Sequence, residues 1–244
     1  KGQIVFNETT GFAEVYSGNR WDKLSNVASA SGGDTTAGVS PGNGYQYHVW
    51  TSPGSLTVEG GSVTADMLLV AGGGGGGGGM GSHVHAGGGG GAGGIAEVVS
   101  MPLAEGTYPV TVPTSNAAGG EGQIPLNAPN GANGGNVTVA STPAGTITAK
   151  GGGGGSTGPS GASNPGGSGG GGGSSGNQVA SSATQPGTNP SPLVTDYGNA
   201  GGEGGTSSAD YAAAGGGGAG GAGEGTGTPG VAGNGGNGRP FTNY

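Results

Sequence analysis

The chain has 244 residues, of which 70 are glycine and only 7% are charged, with a formal net charge of -8. Average proteins carry roughly 7% glycine and about 25% charge, so neither an ordinary globule packed along its whole length nor a charge-rich disordered chain fits. The five scattered basic residues, Lys1, Arg20, Lys23, Lys150 and Arg239, offer no stripe for phosphates and exclude a nucleic-acid partner. The lack of cysteine excludes disulfides and thiolate sites, and the longest apolar run, 67–71, is far short of the roughly 20 residues of a membrane helix.

Taken in chain order, 1–24 reads as a small β meander: strands at 3–6 and 12–16 flank an Asn/Thr/Gly turn, and a second turn at Ser17-Gly18-Asn19 leads to Trp21, its expected anchor. The opening at Lys1 predicts a processed chain or part of a longer one. Residues 25–44 are polar and rich in Ser, Gly and Asp, as in a linker. From 45 onward, short β-branched or aromatic stretches at 45–51, 65–71, 95–101, 106–112, 136–140 and 146–150 are bounded by Gly, Pro or Asn and predict strands. Tyr45, Tyr47, Trp50 and Tyr108 are expected core residues. No window has helical periodicity, and interior glycine costs a helix about 1 kcal/mol, so almost no α-helix is expected.

Between these stretches lie three glycine tracts, 71–94, 151–176 and 198–238, which hold 50 of the 70 glycines. A flexible linker is the ordinary reading of such a tract. Here Met67-Leu68-Leu69-Val70-Ala71 runs straight into one tract and Ile95-Ala96-Glu97-Val98-Val99 runs straight out, so strands clamp both ends. Glycine also forms an extended helix of three residues per turn with about 3.1 Å rise, whose N–H and C=O groups point outward to neighbouring helices. Irregular glycine spacing rules out collagen. The predicted fold class is all-β with polyglycine-II helices: a meander over 1–24, a linker over 25–44 and a glycine-rich β/polyglycine-II domain over 45–244.

The opening Asn7-Glu8-Thr9-Thr10-Gly11 turn, followed by Glu14-Val15-Tyr16-Ser17-Gly18-Asn19-Arg20-Trp21, resembles the β module of phage tail fibre proteins. The region from Tyr45 through Gly238, including Leu68-Leu69-Val70-Ala71-Gly72, is similar to the glycine-rich bacteriophage tail fibre and distal-tip adhesin family. The resemblance implies a polyglycine-II sandwich on a virion surface, a homotrimer attached to other virion tail proteins, and a bacterial surface receptor, protein or polysaccharide, bound by connecting loops. The loops so implied are 80–86, 116–130, 156–165, 177–197 and 206–214.

Within them, Tyr197 and Tyr211 are aromatics in small, polar surroundings and are candidate receptor-binding residues, or else cover the side of the glycine bundle. His83 and His85 form a His-x-His pair whose imidazoles share one face of an extended chain. They are candidate receptor contacts and a weak metal site only across a trimer; otherwise they are plain polar loop residues. No cofactor is called for. The Gly-x-Gly-x-x-Gly matches follow from composition, Lys150 sits in no phosphate loop, no serine occupies a Gly-x-Ser-x-Gly elbow, and Glu59, Asp66, Glu97 and Glu105 are isolated. The chain is therefore expected not to be an enzyme. A purely structural extracellular filament is the alternative to an adhesin, with an ice-binding protein as a third.

Overall fold

The computed structural model describes residues 3–9, 12–24, 28–35, 45–79, 85–115, 117–120, 129–158, 161–174, 178–205, 211–227 and 230–242. All regular elements among them are strands, in antiparallel sheets. The first sheet is the meander β1 (Ile4–Asn7), β2 (Phe12–Tyr16) and β3 (Trp21–Lys23). Asn7 closes its first turn, accepting from Thr9 N at 3.0 Å and donating to the Glu14 carboxylate at 3.2 Å. Gly18, at φ +116°, supplies the second. Trp21 packs against Tyr16 with ring centroids 5.2 Å apart and planes tilted by 45°, yet stays 43% exposed.

Two further sheets face each other across the hydrophobic core. One has five strands in the order β10-β9-β8-β5-β4: β4 (Ser29–Ser31), β5 (Gly54–Glu59), β8 (Gly106–Thr111), β9 (Val137–Thr142) and β10 (Gly145–Ala149). The other has three in the order β11-β7-β6: β6 (Val63–Val70), β7 (Ile95–Leu103) and β11 (Val194–Tyr197). Val58, Val98, Met101, Leu103 and Ile147 lie almost wholly between them. Alternation along β8 puts Tyr108 and Val110 inside and Thr107, Pro109 and Thr111 outside, as a half-buried strand requires.

Two expectations change here. The supposed linker contributes β4, which pairs with β5 through Ala30 and Val58. The stretch 45–51 is not a strand; the sheet takes Gly54–Glu59 instead, and Tyr45 is 63% exposed. Trp50 does reach the core edge, lying against the backbone of Gly54, where a Cβ would come within 3.0 Å of its indole. Asp34 fixes the neighbouring turn, accepting from Thr51 N, Thr51 Oγ1 and Ser52 N and, at 2.7 Å, from Ser52 Oγ. These bonds favour the ionised carboxylate and hold its pKa at about 2, the Ser52 hydroxyl contributing most. Because the folded value lies below the ordinary 3.8, this stabilisation is present above about pH 4 and is lost as pH falls through about 2. Amide exchange at Thr51 and Ser52 is expected to accelerate over that window, while amides of β7 stay protected.

The glycine tracts prolong these strands. Segment g1 (71–79) continues β6, g2 (85–94) leads into β7, g4 (129–136) leads into β9, g5 (150–158) continues β10, and g9 (198–205) continues β11. The remaining extended segments are g3 (117–120), g6 (161–167), g7 (168–174), g8 (178–185), g10 (211–219), g11 (220–227) and g12 (230–238). At the end of β6 the pairing changes from residue-by-residue to every third residue: Ala71, Gly74 and Gly77 donate to Gly94, Gly91 and Gly88 at 2.8–3.1 Å. The same N–H spacing joins g1 to g4 (Gly72 to Gly135, Gly75 to Ala132) and g5 to g1 (Gly152 to Gly72, Gly155 to Gly75). Each segment thus bonds several neighbours in turn with a three-residue period, the period of a polyproline-II-type helix.

This array explains the composition. At Gly155 an added Cβ would collide with the Gly88 carbonyl, at Gly91 with Ser168 and Gly169, and at Gly216 with Gly90. Each obstacle is backbone, so no side chain can give way. Where g5 faces g4, side chains do part of the work: Asn130, Asn133 and Asn136 accept from Thr157 N, Gly154 N and Gly151 N at 2.9–3.0 Å. Both rows keep the three-residue period, so backbone donors are met without a further glycine segment.

A second polar cluster seals the open edge of β10. Asn189 Oδ1 accepts from Thr148 N at 2.8 Å and Asn189 Nδ2 donates to Thr148 O at 2.9 Å. The fully buried Gln185 accepts from Lys150 N at 2.7 Å and donates to Thr148 O and the Asp196 carboxylate. The two amides occupy the place of a missing strand, which protects an edge that would otherwise pair with another chain.

Candidate functional site: the far end of the glycine array

Segments g1, g3, g5, g7, g9 and g11 run away from the sheets and g2, g4, g6, g8, g10 and g12 run back. The bond registers fix this: g1 and g2 are antiparallel, as are g5 and g2, while g5 and g1 are parallel. The chain therefore reverses repeatedly at one end of the array, opposite the hydrophobic core.

Polar bonds tie the flanks of these reversals together. Thr157 Oγ1 donates to Pro129 O at 2.8 Å and accepts from Gly78 N at 3.0 Å, joining three segments. Ala86 and Ser174 exchange two bonds, Ala86 N to Ser174 Oγ at 2.6 Å and Ser174 N to Ala86 O at 2.9 Å. Gly204 N donates to Gln178 O at 2.9 Å. Serine and threonine serve here because a short hydroxyl fits between close-packed backbones and both donates and accepts.

The predicted site residues fall into three groups. His85 and Tyr211 come together in register: g2 and g10 are adjacent and parallel, with Gly89 N bonded to Ala214 O and Ala92 N to Gly217 O, which sets position 86 beside 211. Tyr211 is 48% exposed. His83 lies outside the described residues, as do 80–84, 116, 121–128, 159–160, 177 and 206–210 of the expected loops. Among the described residues no three His, Asp or Glu side chains gather as a metal site would need.

Tyr197 lies elsewhere. It ends β11 at the sheet end of g9, so the eight residues of g9 separate it from the far end by about 25 Å. Its hydroxyl donates to Glu97 at 2.8 Å, the Arg239 guanidinium lies 4.0 Å over its ring, and Phe241 meets the ring edge-on at 5.7 Å. Burial and then the Glu97 carboxylate raise its pKa, against a smaller opposing pull from Arg239. The stretch 177–197, expected as a loop, contains segment g8 and strand β11, so Tyr197 anchors the chain's last residues to the sheet. Gln185, Asn189 and Asp196, in the same stretch, escaped the sequence reading because polar residues there are indistinguishable from loop residues until β10 is seen beside them. The cation–π clasp of Arg239 had no local signal at all.

Comparison with curated proteins and with solved structures finds no match. The glycine-rich domain family model matches residues 49–244, spanning the seven strands β5 to β11 and the entire array, and by that match the chain belongs to the glycine-rich domain family.

Proposed function

We propose that this chain is a phage tail fibre adhesin, carried on the virion surface as a homotrimer, that attaches to a bacterial surface protein or polysaccharide through the far end of a polyglycine-II array. The observation that carries the reading is the repeated reversal of the chain at that one end, on segments cross-bonded every third residue. Such a frame brings the ends of many segments together on cross-bonded backbone, an arrangement that suits recognition. The half-exposed Tyr211 beside His85 gives the end an aromatic contact.

The test is saturable binding of the fluorescently labelled chain to a panel of bacterial strains. Binding to some strains and not others is expected, and a Tyr211→Ala and His85→Ala double variant is expected to bind about tenfold more weakly, the loss of one good aromatic contact. Tyr197→Ala is expected to lower thermal stability and leave affinity unchanged. Failure to bind any strain, including the source host, would leave the purely structural reading in its place.

A further inference from the structure

Most array glycines are required by the chain's own packing, but two rows are not. On g1, Gly74, Gly75 and Gly77 would each drive a Cβ into a carbonyl, of Gly153, Ala118 and Ser156. Gly73 and Gly76 would not: a Cβ there meets nothing nearer than 3.7 Å, an ordinary contact, and both residues are exposed. On g12, a Cβ at Gly235 meets nothing nearer than 3.9 Å and at Gly238 nothing within 4 Å, and both are again exposed. None of the four has a positive φ. Glycine loses more conformational freedom on ordering than any other residue, so its retention where neither space nor dihedral demands it requires another cause.

The hydrogen bonds supply one. Gly73, Gly76, Gly235 and Gly238 fall on the array's three-residue period, and among the described residues their N–H groups donate to no protein acceptor, while the Gly73, Gly235 and Gly238 carbonyls receive no backbone bond. Elsewhere the chain covers such a row with asparagines, as at Asn130, Asn133 and Asn136. At these two rows the repeat simply continues to the surface, bare of side chains. A partner able to approach them must itself be bare at every third position, and this chain carries two such rows, on segments separated by g2 and g10.

We infer that the Gly73/Gly76 row of one molecule packs against the Gly235/Gly238 row of a second copy of this chain, extending the glycine array between molecules. The contact joins two different patches, so it propagates head to tail and closes into a ring or runs on as a filament. It does not depend on receptor binding at the far end.

Light scattering after size exclusion tests it over a range of concentrations. The wild-type chain is expected to exceed its 22.2 kDa monomer mass as concentration rises. Gly76→Val and Gly235→Val are each expected to weaken association by about tenfold or more, with circular dichroism and melting unchanged because the added atoms meet open space. The chain has no cysteine, so mixing Gly76→Cys with Gly235→Cys and oxidising is expected to give a disulfide-linked heterodimer in preference to either homodimer. A wild-type monomer at every concentration overturns the inference. So does homodimer formation by Gly76→Cys alone that equals the mixed product, which would assign a symmetric contact.

Discussion

Gly155→Ala is expected to cost about 3 kcal/mol or more, at or beyond the upper end of ordinary overpacking. Gly155 lies in the middle of g5, donates to Gly75 and accepts from Gly131. An added Cβ meets the Gly88 carbonyl and comes within 2.8 Å of Gly89 O. In a conventional core the neighbour is a side chain that shifts rotamer; here it is backbone whose own bonds are set by further segments. Relief would require g2 to move, and with it the Gly88-to-Ser156 and Gly91-to-Gly153 bonds. Gly238→Ala, on the same period but facing open space, is expected to be neutral or to stabilise by about 0.4–1 kcal/mol through the unfolded state. Urea midpoints at constant slope measure both. Equal effects at the two positions would show that the array is loosely held.

Gln185→Leu is expected to cost about 3 kcal/mol, because three half-buried partners of a fully buried amide each lose a bond at once and an orphaned group costs roughly 1–3 kcal/mol. Lys150 N loses its acceptor, and Asp196 and Thr148 O lose a donor, though Asn189 Nδ2 still reaches both at 2.6 and 2.9 Å. A leucine of similar volume restores the packing against Gly94 and none of the bonds. The Lys150 N–H just past β10 is then unpaired beside the sheet edge, so self-association is expected to accompany the loss. Calorimetry and light scattering together separate this from a plain packing defect, which would lower the melting temperature alone. Full stability in Gln185→Leu would mean that solvent satisfies the edge.

Part of this architecture is legible in the residues. Strand β2 stands where its aromatic and β-branched Phe12-Ala13-Glu14-Val15-Tyr16 places it, and β7, β8, β9 and β10 lie within two or three residues of the stretches that announce them. Strand β4 was not readable, since Ser29-Ala30-Ser31 has no β-branched or aromatic residue and is ordered only by pairing with β5. The aromatics at 45–51 suggested a strand for the converse reason: their propensity is high, but the place beside β8 is filled from Gly54 onward, where Leu56 and Val58 enter the core. Of the candidate site residues, the sequence paired His85 with His83 by spacing and could not pair it with Tyr211, which lies 126 positions later and is set beside it only by the register of g2 and g10. Tyr197 looked like a loop aromatic because Glu97 and Arg239, its partners, are distant in sequence.

Local propensity and composition are enough to establish the all-β class, the clamping of a glycine tract between strands and the lack of an ordinary packed core along the whole length of the chain. Which glycines are indispensable, which polar side chains seal an edge and which residues share the far end emerge from the folded arrangement alone. Those properties depend on what a Cβ or an N–H meets across the array, and that neighbour is a backbone atom of another segment, whose identity no local pattern encodes.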